Sequence, residues 1–319
     1  MAIGNTIGAP FPQRIGKSIY NILPDDNLVL HIDASDSSTL WQAQNGTNPA
    51  TDHNDYVRRV DNKAFLHQAA YGTTSTNPLG KFYISLADND AGSPRLTMNA
   101  SGANGYTALY FGGSAQGLYC SMASLAEGAV YDPTGSLSGY SDESPGSAYL
   151  QTWIVVKGTA SVSSEETVFC EAMKTSAACG SSNTERSINI NGSDSQWEEN
   201  LNGTVKDSTV ASTSNFELWT FKNNNTSVCT NCSGLYRNGD TSDGVLNLAM
   251  VNVPQHRRVL GTNQDCTALS IGCHTNNDAS TFSKHWDGYI FEMVAAVVNI
   301  TDAQRTAMDN YFLNKYNIS

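Results

Sequence analysis

The feature that most constrains this chain is a succession of short apolar runs, each β-branched or aromatic and each bounded by Gly, Asn or Ser. They are LVLHID (28–33), KFYISL (81–86), TALYF (107–111), YLQTWIVVK (149–157), ETVFCEAM (166–173), RSINI (186–190), ELWTFK (217–222), LNLAMVNV (246–253), ALSIGC (268–273) and GYIFEMVAAVV (288–298). Runs of this length and composition are strands, and ten of them with no amphipathic helix between predict an all-β sandwich rather than a parallel α/β sheet. One helix is signalled, at the end of the chain. Thr301-Asp302-Ala303-Gln304 is a capping box, and Ala307, Met308, Tyr311, Phe312 and Tyr316 recur at three- and four-residue steps, which predicts a helix over about 302–316 with a stripe against the sandwich. Asn238-Gly239 within LYRNGD has the chemistry of a type I′ hairpin turn.

Residues 1–26 lack either hydrophobic period and are punctuated by Pro10, Pro12 and Pro24, so they are expected to be an extended arm ahead of a single domain at 27–319. The Gly/Ser-rich stretches 71–80, 112–148 and 174–184 are expected to be loops over the sandwich, since no second core pattern follows any of them.

Composition narrows the partners. Charged residues make up 15% of the 319, against about a quarter in an ordinary soluble domain. Lys+Arg number 18 and Asp+Glu 30, giving a net charge of −12, and the cations are scattered rather than clustered, which argues against a nucleic-acid partner. The longest apolar stretch near the C-terminus, MVAAVV, is far short of the roughly 20 residues of a membrane span, and no membrane partner is expected. The N-terminal MAIGNTIGAPFPQRIGKSI holds no apolar run of the kind a secretory signal needs, so classical export is not expected.

Seven cysteines, at 120, 170, 179, 229, 232, 266 and 273, are an odd number for a disulfide framework. Cys229-x2-Cys232 with Cys266-x6-Cys273 could gather four thiolates around zinc, although the second spacing is wide for that metal. A disulfide and free thiols are the other readings, and free thiols carry most weight. Asn-x-Ser/Thr sequons such as Asn45, Asn99, Asn202, Asn225 and Asn299 are no denser than this Asn- and Ser-rich composition produces by chance.

The order of these segments resembles a known family. LVLHIDASDSSTL (28–40) is similar to the opening strand of concanavalin A-like and laminin G-like jelly rolls, especially those of phage and bacterial surface proteins. GLYRNG (234–239), ALSIGC (268–273) and WDGYIFEMVAAVVNITDAQRTAMDNYFLNKY (286–316) resemble their closing half. The resemblance implies a jelly-roll β-sandwich, with Gly272 and Gly288 at turns or bulges where strands approach closely, Trp153, Trp219 and Trp286 in the core, and Glu292 as a hydrogen-bonded structural carboxylate.

A glucanase of this fold would carry E-x-D-x-x-E along one strand, which is absent here, and no other hydrolase or nucleotide motif is present. The pairs Glu165-Glu166 and Glu198-Glu199 read as solvated loop charge, and the six histidines never fall at helical ligand spacing. Catalysis is therefore not expected; a divergent hydrolase or lyase would have to use Glu171 with Glu292. Lectins of this architecture hold sugars on loop aromatics and amide or hydroxyl groups, sometimes around calcium. The aromatics in polar stretches are Trp197 in SDSQWEEN, Trp41 in STLWQAQNG and Tyr140 in LSGYSDES, each of which could equally cover a hydrophobic edge. Calcium could find oxygen ligands at Asp88 and Asp90, or at Asp240 and Asp243, where ordinary turns explain the residues as well.

The expectation is thus a non-enzymatic virion protein, a capsid decoration, fibre or tail-associated subunit. It would assemble in the host cytoplasm, dock on other virion proteins through the arm, form a homo-oligomer (a trimer by analogy with fibres) and bind host-surface glycans weakly. A cellular carbohydrate-binding module and a divergent polysaccharide hydrolase or lyase are the alternatives.

Overall fold

Apolar and polar residues alternate along strand β1 (Leu28–Asp33), so that Leu30 and Ile32 turn into the core while His31 and Asp33 turn to the opposite face. The same alternation, repeated strand after strand, produces two stacked antiparallel sheets. The computed structural model describes residues 18–23, 28–64, 66, 82–98, 105–121, 150–159, 162–174, 183–201, 204–223, 233–240, 268–276, 281–297 and 300–319.

The first sheet runs in the order β14 (Ser233–Arg237), β13 (Phe216–Asn223), β8 (Leu150–Lys157), β18 (Asp287–Val297), β6 (Ala108–Gly112) and β5 (Arg95–Thr97), with β1 also paired to β18. The second runs β12 (Thr204–Ala211), β11 (Gln196–Leu201), β10 (Asn183–Ile190), β9 (Glu166–Lys174), β15 (Ala268–Ile271), β7 (Leu118–Ser121), β4 (Phe82–Ser85), β3 (Arg59–Asp61) and β2 (Leu40–Trp41). A small hairpin, β16 (His274–Thr275) with β17 (Phe282–Ser283), stands apart from both. This is the β-sandwich expected from the sequence.

Between the sheets lies the main core, which includes Ile154, Val156, Trp219, Ile290 and Met293 from one side and Tyr83, Phe169, Ile188, Trp197 and Ile271 from the other. A second apolar layer fills the outer face of the first sheet. There Trp153, Val155, Leu218, Val294 and Ala296 pack against Met308, Phe312 and Tyr316 of the C-terminal helix α1 (Asp302–Tyr316). Burying each of those three helix side chains contributes about 1.5–3 kcal/mol.

The capping box forms as expected: the Gln304 amide donates to Thr301 Oγ1 at 3.2 Å and the Thr301 amide to Gln304 Oε1 at 2.9 Å. The helix ends at Asn317, whose left-handed conformation (φ 51°) suits a C-terminal cap. The buried stripe is more polar than its periodicity suggests. Arg305 and Asp309 are also buried and paired, and Asp309 Oδ1 accepts from Thr220 (2.7 Å) and Trp153 Nε1 (3.2 Å) on the sheet below.

A bulge in β18 positions the polar residues described next. Ile290 pairs with Val156 and Glu292 with Val155, so Phe291 is an extra residue, and both Phe291 and Glu292 turn toward the helix. Gly272 (φ 77°) is required, because a Cβ there would lie 2.4 Å from the Phe111 ring. Asn238 and Gly239 both have positive φ, as a type I′ turn demands.

Several expectations need correction. Glu198 and Glu199 are not solvated loop charge; they lie buried in β11, and Glu166 is buried at the start of β9. The stretches 112–148 and 174–184 are not loop throughout, since β7 runs through the first, and β9 and β10 extend into the second. The arm expected to end at residue 26 is not featureless: Ser18 caps a short 3-10 turn over Ile19–Asn21, and Ile19 and Leu23 are buried in the helix-side layer. Run 246–253 and stretch 71–80 lie outside the described residues. Cys120, Cys170 and Cys273 are buried, and burial pushes the Cys273 thiol up to about 12. Cys179, Cys229, Cys232 and Cys266 lie outside the described residues.

Candidate functional site

Three groups of side chains carry the chemistry of the described residues. The first is buried beneath the end of the helix. Glu292, fully buried, accepts from His31 Nε2 (2.9 Å), Lys315 Nζ (2.6 Å) and the Tyr316 hydroxyl (2.8 Å). Lys315 also donates to Asp33 Oδ2 (3.1 Å), Lys63 lies 3.2 Å from the same oxygen, and the Tyr20 hydroxyl meets His31 Nδ1 at 2.8 Å. Burial works to raise the Glu292 pKa, but the His31 hydrogen bond and the Lys315 charge outweigh it and hold the carboxyl below its ordinary value. Asp33 is lowered likewise by Lys315 and Lys63 against its own burial. His31, Asp33 and Glu292 each offer a ligand atom within 4.8 Å of the others, a set that could grip a metal. The Lys315 ammonium already bonds both carboxylates, so the cluster is a neutralised clasp that ties the helix to β1 and β18. Glu292 is the structural carboxylate the sequence suggested.

The second group faces outward on the nine-stranded sheet. Cross-strand pairs put Trp41, Arg59, Ile84 and Tyr119 in one row on one face, since Trp41 pairs with Arg59, Arg59 with Ile84 and Ile84 with Tyr119. All four are half-buried. Phe82 lies on the same face with the Arg59 guanidinium 3.9 Å over its ring, and Phe282 of the β16–β17 hairpin approaches Tyr119 with ring centroids 5.1 Å apart. Asp61 fixes the polar edges, accepting from Trp41 Nε1 at 2.9 Å and from Arg59 Nε at 2.7 Å. The register continues from Tyr119 to Ser270 and Cys170, but there the hairpin covers the sheet, with Cys170 Sγ 3.5 Å from the Thr275 carbonyl. The open end is thus a surface of apolar rings with donors and acceptors held at their edges, the mixture an uncharged hydroxylated ligand requires.

The third group ties the Glu166 carboxyl to the Asp287 backbone where the sheets meet. Glu166 Oε2 accepts from the Asp287 amide at 3.1 Å. Burial pushes the Glu166 carboxyl up to about 7, with the neighbouring Asp287 charge adding to it, and burial raises Asp287 as well.

Of the aromatics named from sequence, Trp41 belongs to the outward-facing row. Trp197 does not: it sits in β11 with no exposed surface, its ring 5.0 Å from Trp219 and 5.9 Å from Trp286, and so it is a residue of the main core with those two, while Trp153 is buried in the layer beneath the helix. Tyr140 lies outside the described residues, as does Asp243. Asp90 accepts from Arg58 at 2.9 Å and Asp88 lies 3.7 Å from the same guanidinium, so a cation already stands between them. Asp240 is exposed beside the Asn238-Gly239 turn. Glu171 pairs through its backbone with Arg186 and Leu269. Arg59, Phe82, Tyr119 and Phe282 were missed. The alternation Phe82, Ile84 against Tyr83, Ser85 was the available signal that one face of β4 stays outside.

No protein-family model matches the chain, and no curated protein does. Among solved structures it is similar to the Ruminococcus gnavus IT-sialidase CBM40, at 13% identity over 63% of this chain and 96% of that one, with a TM-score of 0.40. It is also similar to a Trypanosoma rangeli sialidase in complex with sialic acid (8% identity, 74% and 33% coverage, TM-score 0.38). A third likeness is to the NanB sialidase from Streptococcus pneumoniae (12% identity, 62% and 27% coverage, TM-score 0.37). The chain spans about a third or less of the length of those two sialidase chains. Likenesses this weak carry no argument, and the β-sandwich and its faces stand on their own geometry.

Proposed function

We propose that this chain is a non-enzymatic, carbohydrate-binding surface subunit of a virion, with the Trp41 face as its sugar-binding platform. The observation that carries the reading is the half-buried cross-strand row of Trp41, Arg59, Ile84 and Tyr119, edged by Asp61. A pyranose presents C–H faces to rings and hydroxyls to edges, and this row supplies both. A single platform of this size binds weakly, and a multi-copy particle gains avidity by repeating it. The sparsely charged, amide- and hydroxyl-rich composition fits an external coat, with only 15% of residues charged. Docking on other virion proteins through the N-terminal segment, homo-oligomerisation and assembly in the host cytoplasm belong to the same proposal. Glycan titration of the wild-type chain and Trp41→Ala tests the platform. Particle proteomics tests the location: a purified virion from the producing host that lacks this chain overturns it.

A second reading, a divergent polysaccharide hydrolase, is favoured by one observation: Glu166, held by the Asp287 backbone amide, is raised to about 7 by burial, as a general acid would be. Release of reducing ends that Glu166→Gln abolishes would establish it in place of the first.

A further inference from the structure

The outer face of the first sheet carries a second row, independent of the Trp41 face. Arg95 of β5 pairs with Tyr110 of β6, Tyr110 with Tyr289 of β18, and Tyr289 with Lys157 of β8. Cross-strand partners share a face, so a cation, two tyrosines and a second cation stand in line over four strands, roughly 14 Å at a strand spacing of about 4.8 Å. All four are half-buried, and Tyr289 also packs against the edge of the apolar layer beneath helix α1. The tyrosine rings lie 4.9 Å apart at 36°, and Lys157 Nζ is 6.0 Å from the Tyr289 centroid.

Arg95 is the informative member. Arg58, Arg59, Arg186, Arg237 and Arg305 each have a carboxylate within ion-pair distance, whereas Arg95, among the described residues, has none. Its guanidinium stacks 4.8 Å from the Tyr56 ring, and Nη2 donates to the Tyr56 hydroxyl at 2.9 Å. That holds the planar fork in place while leaving most of its five donors uncommitted. In a chain of net charge −12, a half-buried, positioned guanidinium without a counter-ion marks a place for an anion brought by a ligand. Asp287 lies two residues from Tyr289 on the same strand and adds negative charge beside the tyrosines, so an anion is directed to the Arg95 end.

The geometry points to a binding site for a carboxylated oligosaccharide along Arg95–Tyr110–Tyr289–Lys157, with an acid group on Arg95 and sugar rings over the tyrosines. The choice of carboxylate over a bare anion follows from the rings, which give a simple ion nothing to bind.

Isothermal titration with oligogalacturonate, oligomannuronate and hyaluronan fragments, each beside its carboxyl-reduced neutral counterpart, tests it. The expected result is binding of at least one acidic oligosaccharide that its reduced form lacks. That binding weakens tenfold or more in Arg95→Gln, falls with added salt and survives Trp41→Ala. Equal binding of the reduced form, unchanged affinity in Arg95→Gln with the fold intact by circular dichroism, or no binding of any acidic member overturns the site. The Trp41 platform is then judged separately by its own variant and by neutral glycans.

Discussion

Lys315 Nζ lies 2.6 Å from Glu292 Oε2, beneath the last turn of the C-terminal helix, and the same ammonium reaches Asp33 on β1. Three segments, one of them more than 250 residues from the other two along the chain, meet at one half-buried nitrogen. Removing one partner strands the others, because a buried carboxylate without a counter-charge keeps its desolvation cost.

Lys315→Met should therefore lower stability by about 3–5 kcal/mol in urea unfolding. Lys315→Met with Glu292→Gln should recover part of that loss, since the amide leaves less uncompensated charge. Equal stability of Lys315→Met and wild type would contradict the clasp.

The clasp also sets an acid limit. Glu292 and Asp33 are lowered from ordinary values of 4.5 and 3.8, so the unfolded chain takes up protons first as pH falls. Their contribution is present above about pH 4–5 and is lost as pH drops through the folded values. Urea midpoints measured from pH 6 to pH 2 should fall more steeply in wild type than in Glu292→Gln.

Glu166 works with the opposite sign. Raised from 4.5 to about 7, it is better protonated in the folded chain, so its ionisation costs stability as pH rises through that window. Glu166→Gln should gain thermal stability relative to wild type between pH 4.5 and 7.5. A constant difference across that range would show that the carboxyl titrates normally.

How much of this was legible depended on the reach of the determining contacts. β1 coincides with the run 28–33, and the capping box forms at Thr301, because both are local patterns of alternation and side-chain reach. β11 was not legible. Its polar sequence QWEENL buries Trp197 and Glu199 because Arg186, thirteen residues earlier, bonds Glu199 at 2.6 Å and reaches Thr152 on the facing sheet at 3.0 Å. A buried charge whose partner lies on another strand leaves no mark on local periodicity. The Trp41 row was half legible: its tryptophan stood out in a polar stretch, but its neighbours come from β3, β4 and β7 and converge only through strand register.

Gly272→Ala should destabilise by about 2 kcal/mol or more, from positive φ and from a Cβ set against the Phe111 ring. Thermal unfolding checks this, and an unchanged midpoint would mean that β15 and β6 do not approach as described.

Calcium should leave the unfolding midpoint unchanged, because the Arg58 guanidinium already occupies the space between Asp88 and Asp90. A rise with added calcium that Asp90→Asn removes would assign the ion to that loop.

The most direct test of the central claim is a titration of neutral oligosaccharides, chosen from a glycan array, into wild type and Trp41→Ala, with reducing ends assayed in parallel. The account predicts weak binding by wild type, at least tenfold weaker binding by the variant with its fold intact, and no release of reducing ends. Unchanged binding in Trp41→Ala, no binding to any glycan, or turnover by wild type would contradict it.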